Sequence, residues 1–105
     1  MSKFSIYKAK PGDVFYELDT YYKDHDLCSY NITEYLIYSI SNTNEKDTFI
    51  LDTSNGNFIY KNNQMILYTT YDDAKNALIK TANRNIREIK KEYIKRIKKI
   101  KDLIL

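Results

Sequence analysis

The first two thirds of the chain alternates apolar and polar residues in short runs. In residues 32–41, Leu36 and Ile40 fall on one face and Ile37 falls on the other. A period of two is typical of a β-strand, and apolar residues on both faces are typical of a central strand. This run is therefore the strongest predicted strand. Similar runs predict further short strands at residues 3–8, 14–18, 48–52, 58–60 and 65–69.

Most of the predicted strands are joined by short turns. Residues 11–13, 42–47 and 61–64 are polar or rich in turn formers. Asn55 and Gly56 predict a two-residue hairpin turn, because both residue types tolerate positive φ. Residues 19–30 show no clear period and predict a long loop, a kind of segment that often carries function. We expect a small antiparallel sheet or barrel of five to six strands, since closure hides strand edges.

The pattern changes period at Thr70. No Gly or Pro follows, and apolar residues recur at steps of three and four, which is the helical period. Thr70 is the predicted N-cap, with Asp73 at the third helical position. An unbroken helix would span roughly 50 Å, and a break near residues 81–83 into a helical hairpin is the alternative. The sequence thus predicts one α+β domain over residues 1–105, with a β part at 1–69 and a basic amphipathic helix at 70–105.

The helix is predicted to extend past the small sheet, with an apolar stripe that needs burial. Self-association as a homodimer, through a two-stranded coil or a four-helix arrangement, is the simplest solution. The residues predicted to dimerise are Ile86, Ile89, Tyr93, Ile97 and Ile100.

Charge is divided unevenly along the chain. Residues 84–105 carry a formal charge of +6 and residues 1–83 a charge of −3, for a net charge of +3. An asymmetry of this kind indicates an acidic partner, which could be a protein, a ribonucleoprotein or a nucleic acid. A solvated helix face with internal ion pairs is the alternative. The candidate binding residues opposite the apolar stripe are Arg84, Arg87, Lys91, Lys95 and Lys98.

Aromatic content is unusual, with eleven Tyr and no Trp. Tyr21 and Tyr22 in the predicted loop are candidate binding residues, because Tyr faces stack on bases, nucleotides or protein surfaces. The alternative is that the tyrosines fill a small core.

The only grouping that resembles catalytic or metal chemistry is Asp24-His25-Asp26 with Cys28 nearby. One His and one Cys supply too few nitrogen and sulfur donors for a zinc site. The chain has only two glycines, which is too few for a Gly-rich phosphate loop. We therefore expect no catalytic residue, no metal and no cofactor.

Location is predicted from what the sequence lacks. A single cysteine excludes an intramolecular disulfide, and no apolar run reaches transmembrane length. The first residues show no signal-peptide pattern. These features favour the cytoplasm and no membrane partner. The abundance of Ile, Lys, Asn and Tyr, whose codons are AT-rich, suggests a low-GC bacterium or one of its phages.

Three segments carry a resemblance to small proteins of phages and mobile elements from low-GC bacteria. They are Pro11-Gly12-Asp13-Val14-Phe15-Tyr16, the strand at residues 33–40, and the helix entry Tyr68-Thr69-Thr70-Tyr71-Asp72-Asp73-Ala74. The resemblance spans about two thirds of the chain and implies a β-barrel-like domain with a C-terminal helix. It also implies a cytoplasmic inhibitor of a host defence factor.

The leading functional hypothesis is a non-catalytic binding protein that acts by occlusion, as a homodimer. Two alternatives stay open: a small nucleic-acid-binding regulator, and a sponge that holds a signalling nucleotide by Tyr stacking.

Overall fold

Four antiparallel strands and one long helix make up the chain in its computed structural model, which describes residues 3–62 and 65–104. The strands form one sheet in the order β1-β2-β3-β4, so each strand pairs with its neighbour in sequence. The helix follows the sheet, as the α+β prediction requires. The elements are β1 (Val14–Lys23), β2 (Asp26–Asn42), β3 (Thr48–Thr53), β4 (Gly56–Lys61) and α1 (Tyr71–Ile104).

The sheet is open and has four strands, so the prediction of five to six strands or a closed barrel is wrong. The runs at residues 3–8 and 65–69 contribute only isolated bridges, Lys3 with Tyr68 and Tyr16 with Tyr68. Phe4, Ile6 and Leu67 of these runs are buried in the core instead of extending the ladder of the sheet. Of the turn predicted at residues 61–64, residues 63 and 64 lie outside the described part of the chain.

The core lies on one face of the sheet. Phe15, Ile37 and Leu51 are its fully buried large side chains, and Phe4, Ile6, Tyr60 and Leu67 complete the buried cluster. The rings of Phe15 and Tyr35 are stacked, with centroids 4.9 Å apart and planes 11° apart.

Residues 19–30 form the outer part of a β1–β2 hairpin, and the prediction of a long loop there is wrong. Asp24 and His25 occupy the turn with φ of 52° and 70°. Positive φ at both central residues defines a type I′ turn, which usually carries Asn-Gly. Asp and His also adopt this conformation more readily than most residues. The pairing shifts between Tyr21 and Tyr22, which leaves Cys28 as a bulge.

The predicted Asn-Gly turn is present between β3 and β4, with a different geometry. Gly56 has a φ of 94°, whereas Asn55 does not have positive φ. Gly56 pairs with Thr53 at the end of the ladder. Only one residue of the pair therefore uses the left-handed region.

The helix α1 is continuous over 34 residues, so the alternative of a helical hairpin is wrong. Thr70 is the N-cap, because its Oγ1 accepts a hydrogen bond of 3.1 Å from the N–H of Asp73. At the predicted break, Thr81 Oγ1 donates to the carbonyl of Ala77 at 3.0 Å. This bond satisfies the hydroxyl without interrupting the helix.

The first half of α1 packs on the β1–β2 hairpin, and the second half extends beyond it. Ala74 and Asn85 are buried, while Leu78 and Ile89 are half-buried. From residue 90 to residue 103 every side chain is exposed. This projecting part, residues 86–104, is called the overhang below. It gives the molecule extents of 66 × 29 × 22 Å.

The first prediction concerns the core. Leu51→Ala should lower the free energy of unfolding by about 2–5 kcal/mol, because the removed atoms leave a cavity in a fully buried site. Urea denaturation measures the change. Ile59→Ala on the adjacent strand is the control, since Ile59 is 56% exposed, and it should cost less than about 1 kcal/mol. Equal losses in the two variants would contradict this placement of the core.

The second prediction concerns alkaline pH. Burial, a hydrogen bond to Glu17 and the charges of Glu17 and Asp19 raise the pKa of Tyr35 from 10.0 to about 12. The Tyr35 hydroxyl donates to Glu17 Oε1 at 3.0 Å. The raised pKa of Tyr35 contributes to the free energy of unfolding, and this contribution is complete below the unfolded-state pKa. It is lost as pH rises from about 10 to about 12, because Tyr35 loses its proton first in the unfolded chain.

Tyr35→Phe should therefore reduce the loss of stability across that pH window. Urea denaturation of both proteins in steps from pH 9 upward provides the measurement. Identical pH slopes would show that Tyr35 does not contribute.

Candidate binding interface

A buried amide joins the tip of the β1–β2 hairpin to α1. Asn85 is 7% exposed, and its Nδ2 donates to the carbonyl of His25 at 2.7 Å. The N–H of Leu27 donates to Asn85 Oδ1 at 3.1 Å. One side chain thus satisfies two backbone groups on either side of Asp26, next to a turn that has positive φ. This contact, which we call the Asn85 clamp, fixes the hairpin tip to the helix.

Sequence reasoning missed the Asn85 clamp, although a signal exists. Asn85 continues the helical spacing of Ala74, Leu78 and Ala82, so it lies on the face that packs against the sheet. A polar residue on a buried face has a hydrogen-bond partner as a rule. Its partner is a hairpin in a segment where the sequence pattern predicts a loop.

Beyond the Asn85 clamp an open groove of about 660 Å³ separates the hairpin tip from α1. It is lined by the turn residues and by helix residues between Glu88 and Arg96. Carboxylates of Asp24 and Glu92 face the same space as the Lys95 cation. The mixture of signs makes the groove unsuitable as a dedicated site for a small anion or a small cation.

The predicted chemical grouping of Asp24, His25, Asp26 and Cys28 is only partly brought together. The first three line the groove, whereas Cys28 does not and its thiol is free and exposed. Within residues 3–62 and 65–104, no group of three or more His, Cys, Asp or Glu side chains is arranged to hold a metal ion.

The five predicted cations form one line along the overhang and the turn before it. Arg84, Arg87, Lys91, Lys95 and Lys98 are all exposed. Their steps of three, four, four and three residues keep them within an arc of about 80° on the helix, over a length of about 21 Å. We call this line the cationic stripe.

Few of these charges are neutralised within the chain. The one salt bridge among the described residues joins Lys95 Nζ to Glu92 Oε1 at 3.9 Å, with both side chains more than half exposed. An exposed pair of this kind contributes little. The cationic stripe is therefore available to another molecule.

The predicted dimerisation residues form a second line, which we call the apolar stripe. Ile86, Tyr93, Ile97 and Ile100 are each at least half exposed, and only Ile89 is half-buried. The apolar stripe is centred about 80° around the helix from the face of Asn85. The sheet therefore does not cover it.

Tyr21 and Tyr22 do not form one aromatic surface. They are 60% and 44% exposed, but adjacent strand residues point to opposite faces. Neither lines the groove. Tyr35 contributes to neither surface, because its ring is stacked on Phe15 of the core.

The third prediction tests the Asn85 clamp. Asn85→Ala should destabilise the fold by about 1–3 kcal/mol, because a partly buried N–H and a carbonyl lose their partner. It should also remove hydrogen-exchange protection at the Leu27 amide. Asn83→Ala, an exposed change two residues earlier, is the control and should leave Leu27 protected. Retained protection in Asn85→Ala would show that the hairpin tip is held by other contacts.

Comparison with protein-family models, with curated proteins and with solved structures gives no match for this chain. The resemblance to phage proteins stays a prediction. In the described part of the chain, no helix has the length and apolarity to cross a membrane.

Proposed function

We propose that the chain is a non-catalytic binding protein that covers an acidic surface of a partner macromolecule with the overhang of α1. The observation that carries this proposal is the exposed cationic stripe on a helix that projects past the sheet. Positive charge that the fold does not neutralise raises the rate of encounter with an acidic partner and selects against basic ones.

The one-sided arrangement of charge favours a protein partner over a duplex. A helix that enters a DNA groove meets phosphates along both of its flanks. Here the side opposite the cationic stripe is apolar, with Ile86, Tyr93 and Ile97 exposed. Glu88 and Asp102 also lie near the cations. A single acidic face on a protein or ribonucleoprotein matches this distribution better.

A nucleotide sponge is less well supported, because Tyr21 and Tyr22 point to opposite faces of β1 and the groove has mixed charge. The proposal includes no catalytic step, metal or cofactor. On the basis of the resemblance to phage proteins, the proposed target is a defence factor of a bacterial host. The protein would block this factor by occlusion in the cytoplasm.

The fourth prediction tests the cationic stripe. Replacement of Arg84, Arg87, Lys91 and Lys95 by Ser should weaken capture of protein from a bacterial host extract by about tenfold or more, because charged contacts to an acidic face are lost. Immobilised protein, salt elution and mass spectrometry of the retained fraction provide the measurement.

The matched control removes the same number of charges elsewhere. In this control, Ser replaces four exposed lysines outside the overhang, namely Lys8, Lys10, Lys61 and Lys75. The control variant should capture as much partner as the wild type. Equal capture by both variants would refute the proposed surface. Release of the bound fraction by nuclease treatment would assign the cationic stripe to nucleic acid. Thermal stabilisation by a nucleotide panel would favour the sponge.

A further inference from the structure

The spacing of the apolar stripe is the same in both directions. Ile86, Ile89, Tyr93, Ile97 and Ile100 follow one another at three, four, four and three residues, so the pattern is symmetric about Tyr93. A two-fold interface requires a surface that matches itself when rotated. An antiparallel copy centred on Tyr93 would place Ile86 opposite Ile100 of the partner subunit, and Ile89 opposite Ile97 of the partner subunit.

Charges along one flank of the stripe give mixed contacts in the same alignment. Rotation about Tyr93 brings Arg96 of the partner subunit within about 3 Å, along the axis, of Glu92. The two Glu92 side chains of the pair are also about 3 Å apart along the axis. In an antiparallel pair the same flank of each helix meets, and Glu92 and Arg96 lie on one flank, at about 100° and 60° from the centre of the stripe. This flank therefore neither favours nor opposes the alignment, which rests on the apolar spacing.

The other flank contains Lys90 and Lys101, which are both exposed. In this alignment Lys90 lies about 8 Å along the axis from Lys101 of the partner subunit and about 9 Å from Lys90 of the partner subunit. Salt partly screens the repulsion between exposed charges at separations near the Debye length. Like charges on this flank are therefore not in direct contact.

We propose that a second copy of this chain covers the apolar stripe, antiparallel and with its two-fold axis at Tyr93. The two overhangs then overlap along their length, and the Asn85 clamps of the two copies lie about 24 Å apart along the axis. The stripe repeats at eleven residues, since Ile97 follows Ile86 and Ile100 follows Ile89 at that interval. An eleven-residue repeat gives an almost straight helix pair with a slight right-handed twist.

The interface is small. Five side chains from each copy, most of them about half exposed in the monomer, bury roughly 1,000 Å² in total, near the lower limit for a specific interface. We expect a dimer with a dissociation constant on the order of micromolar. The cationic stripes remain on the outer sides of the pair, so a dimer presents two of them to a partner. The dimer does not depend on the proposed acidic partner and can be tested without it.

The fifth prediction is a cysteine cross-linking pattern in a Cys28→Ser background. Tyr93→Cys should form a disulfide-linked dimer under mild oxidation, because facing Cα atoms near the two-fold axis are within disulfide reach. Ile86→Cys and Ile100→Cys should not cross-link alone, since identical residues are about 21 Å apart along the axis. A mixture of these two variants should cross-link, and non-reducing electrophoresis reports each result.

The control residue is Ile94, which is 67% exposed and lies about 100° from Tyr93. Ile94→Cys should not cross-link, and Ile94→Ser should keep the wild-type sedimentation behaviour. Ile97→Ser should raise the dissociation constant of the dimer about ten-fold relative to wild type. Cross-linking by Ile86→Cys alone would indicate a parallel pair and would overturn the proposal.

A wild-type protein that stays monomeric at several hundred micromolar would also overturn it. If such a monomer co-sediments with phosphatidylglycerol vesicles, the apolar stripe serves a lipid surface. Dimerisation is measured on purified protein, so its failure is separate from failure of partner capture.

Discussion

The hydrogen bonds of Asn85 determine where the sheet ends its contact with the helix. One amide holds two backbone groups of the hairpin tip, 58 and 60 residues away in sequence. On one side of this contact α1 packs on strands, and on the other side it is exposed to solvent from residue 90 to residue 103. The boundary between the packed half and the projecting half of the helix therefore lies close to this one polar contact. A fully apolar face at this position would bury area without fixing the register of the turn against the helix.

Much of the helix was predictable from sequence, because its signals are local. The cap at Thr70, the absence of Gly and Pro, and the three-and-four spacing all act within a few residues of one another. The central part of β2 was predictable for the same reason. The cations were placed correctly on one exposed line because helical geometry alone sets their positions.

The errors arose where distant segments decide the outcome. Residues 19–30 look like a loop because all of them except Leu27 are exposed, so neither face of the hairpin needs an apolar pattern. Its turn also uses Asp24 and His25 instead of Asn-Gly. The strand conformation there is stabilised by ladder pairing and by α1, which the local pattern does not contain. Similarly, the apolar alternation near Phe4 and Leu67 gave two predicted strands, but these residues cover the core and pair only at bridges. A period of two indicates a buried face and does not specify a ladder partner.

The shared spacing of the two stripes constrains how this helix can change by mutation. Each residue of the apolar stripe follows a residue of the cationic stripe by two positions, so both stripes keep a fixed angle to Asn85. A substitution changes one residue of one stripe and leaves the orientation of both stripes unchanged. A single-residue insertion or deletion after Asn85 would instead turn both stripes together by about 100° relative to the sheet. In genetic terms, the overhang can lengthen in steps of eleven codons with its faces preserved, whereas one inserted or deleted codon redirects both of them at once.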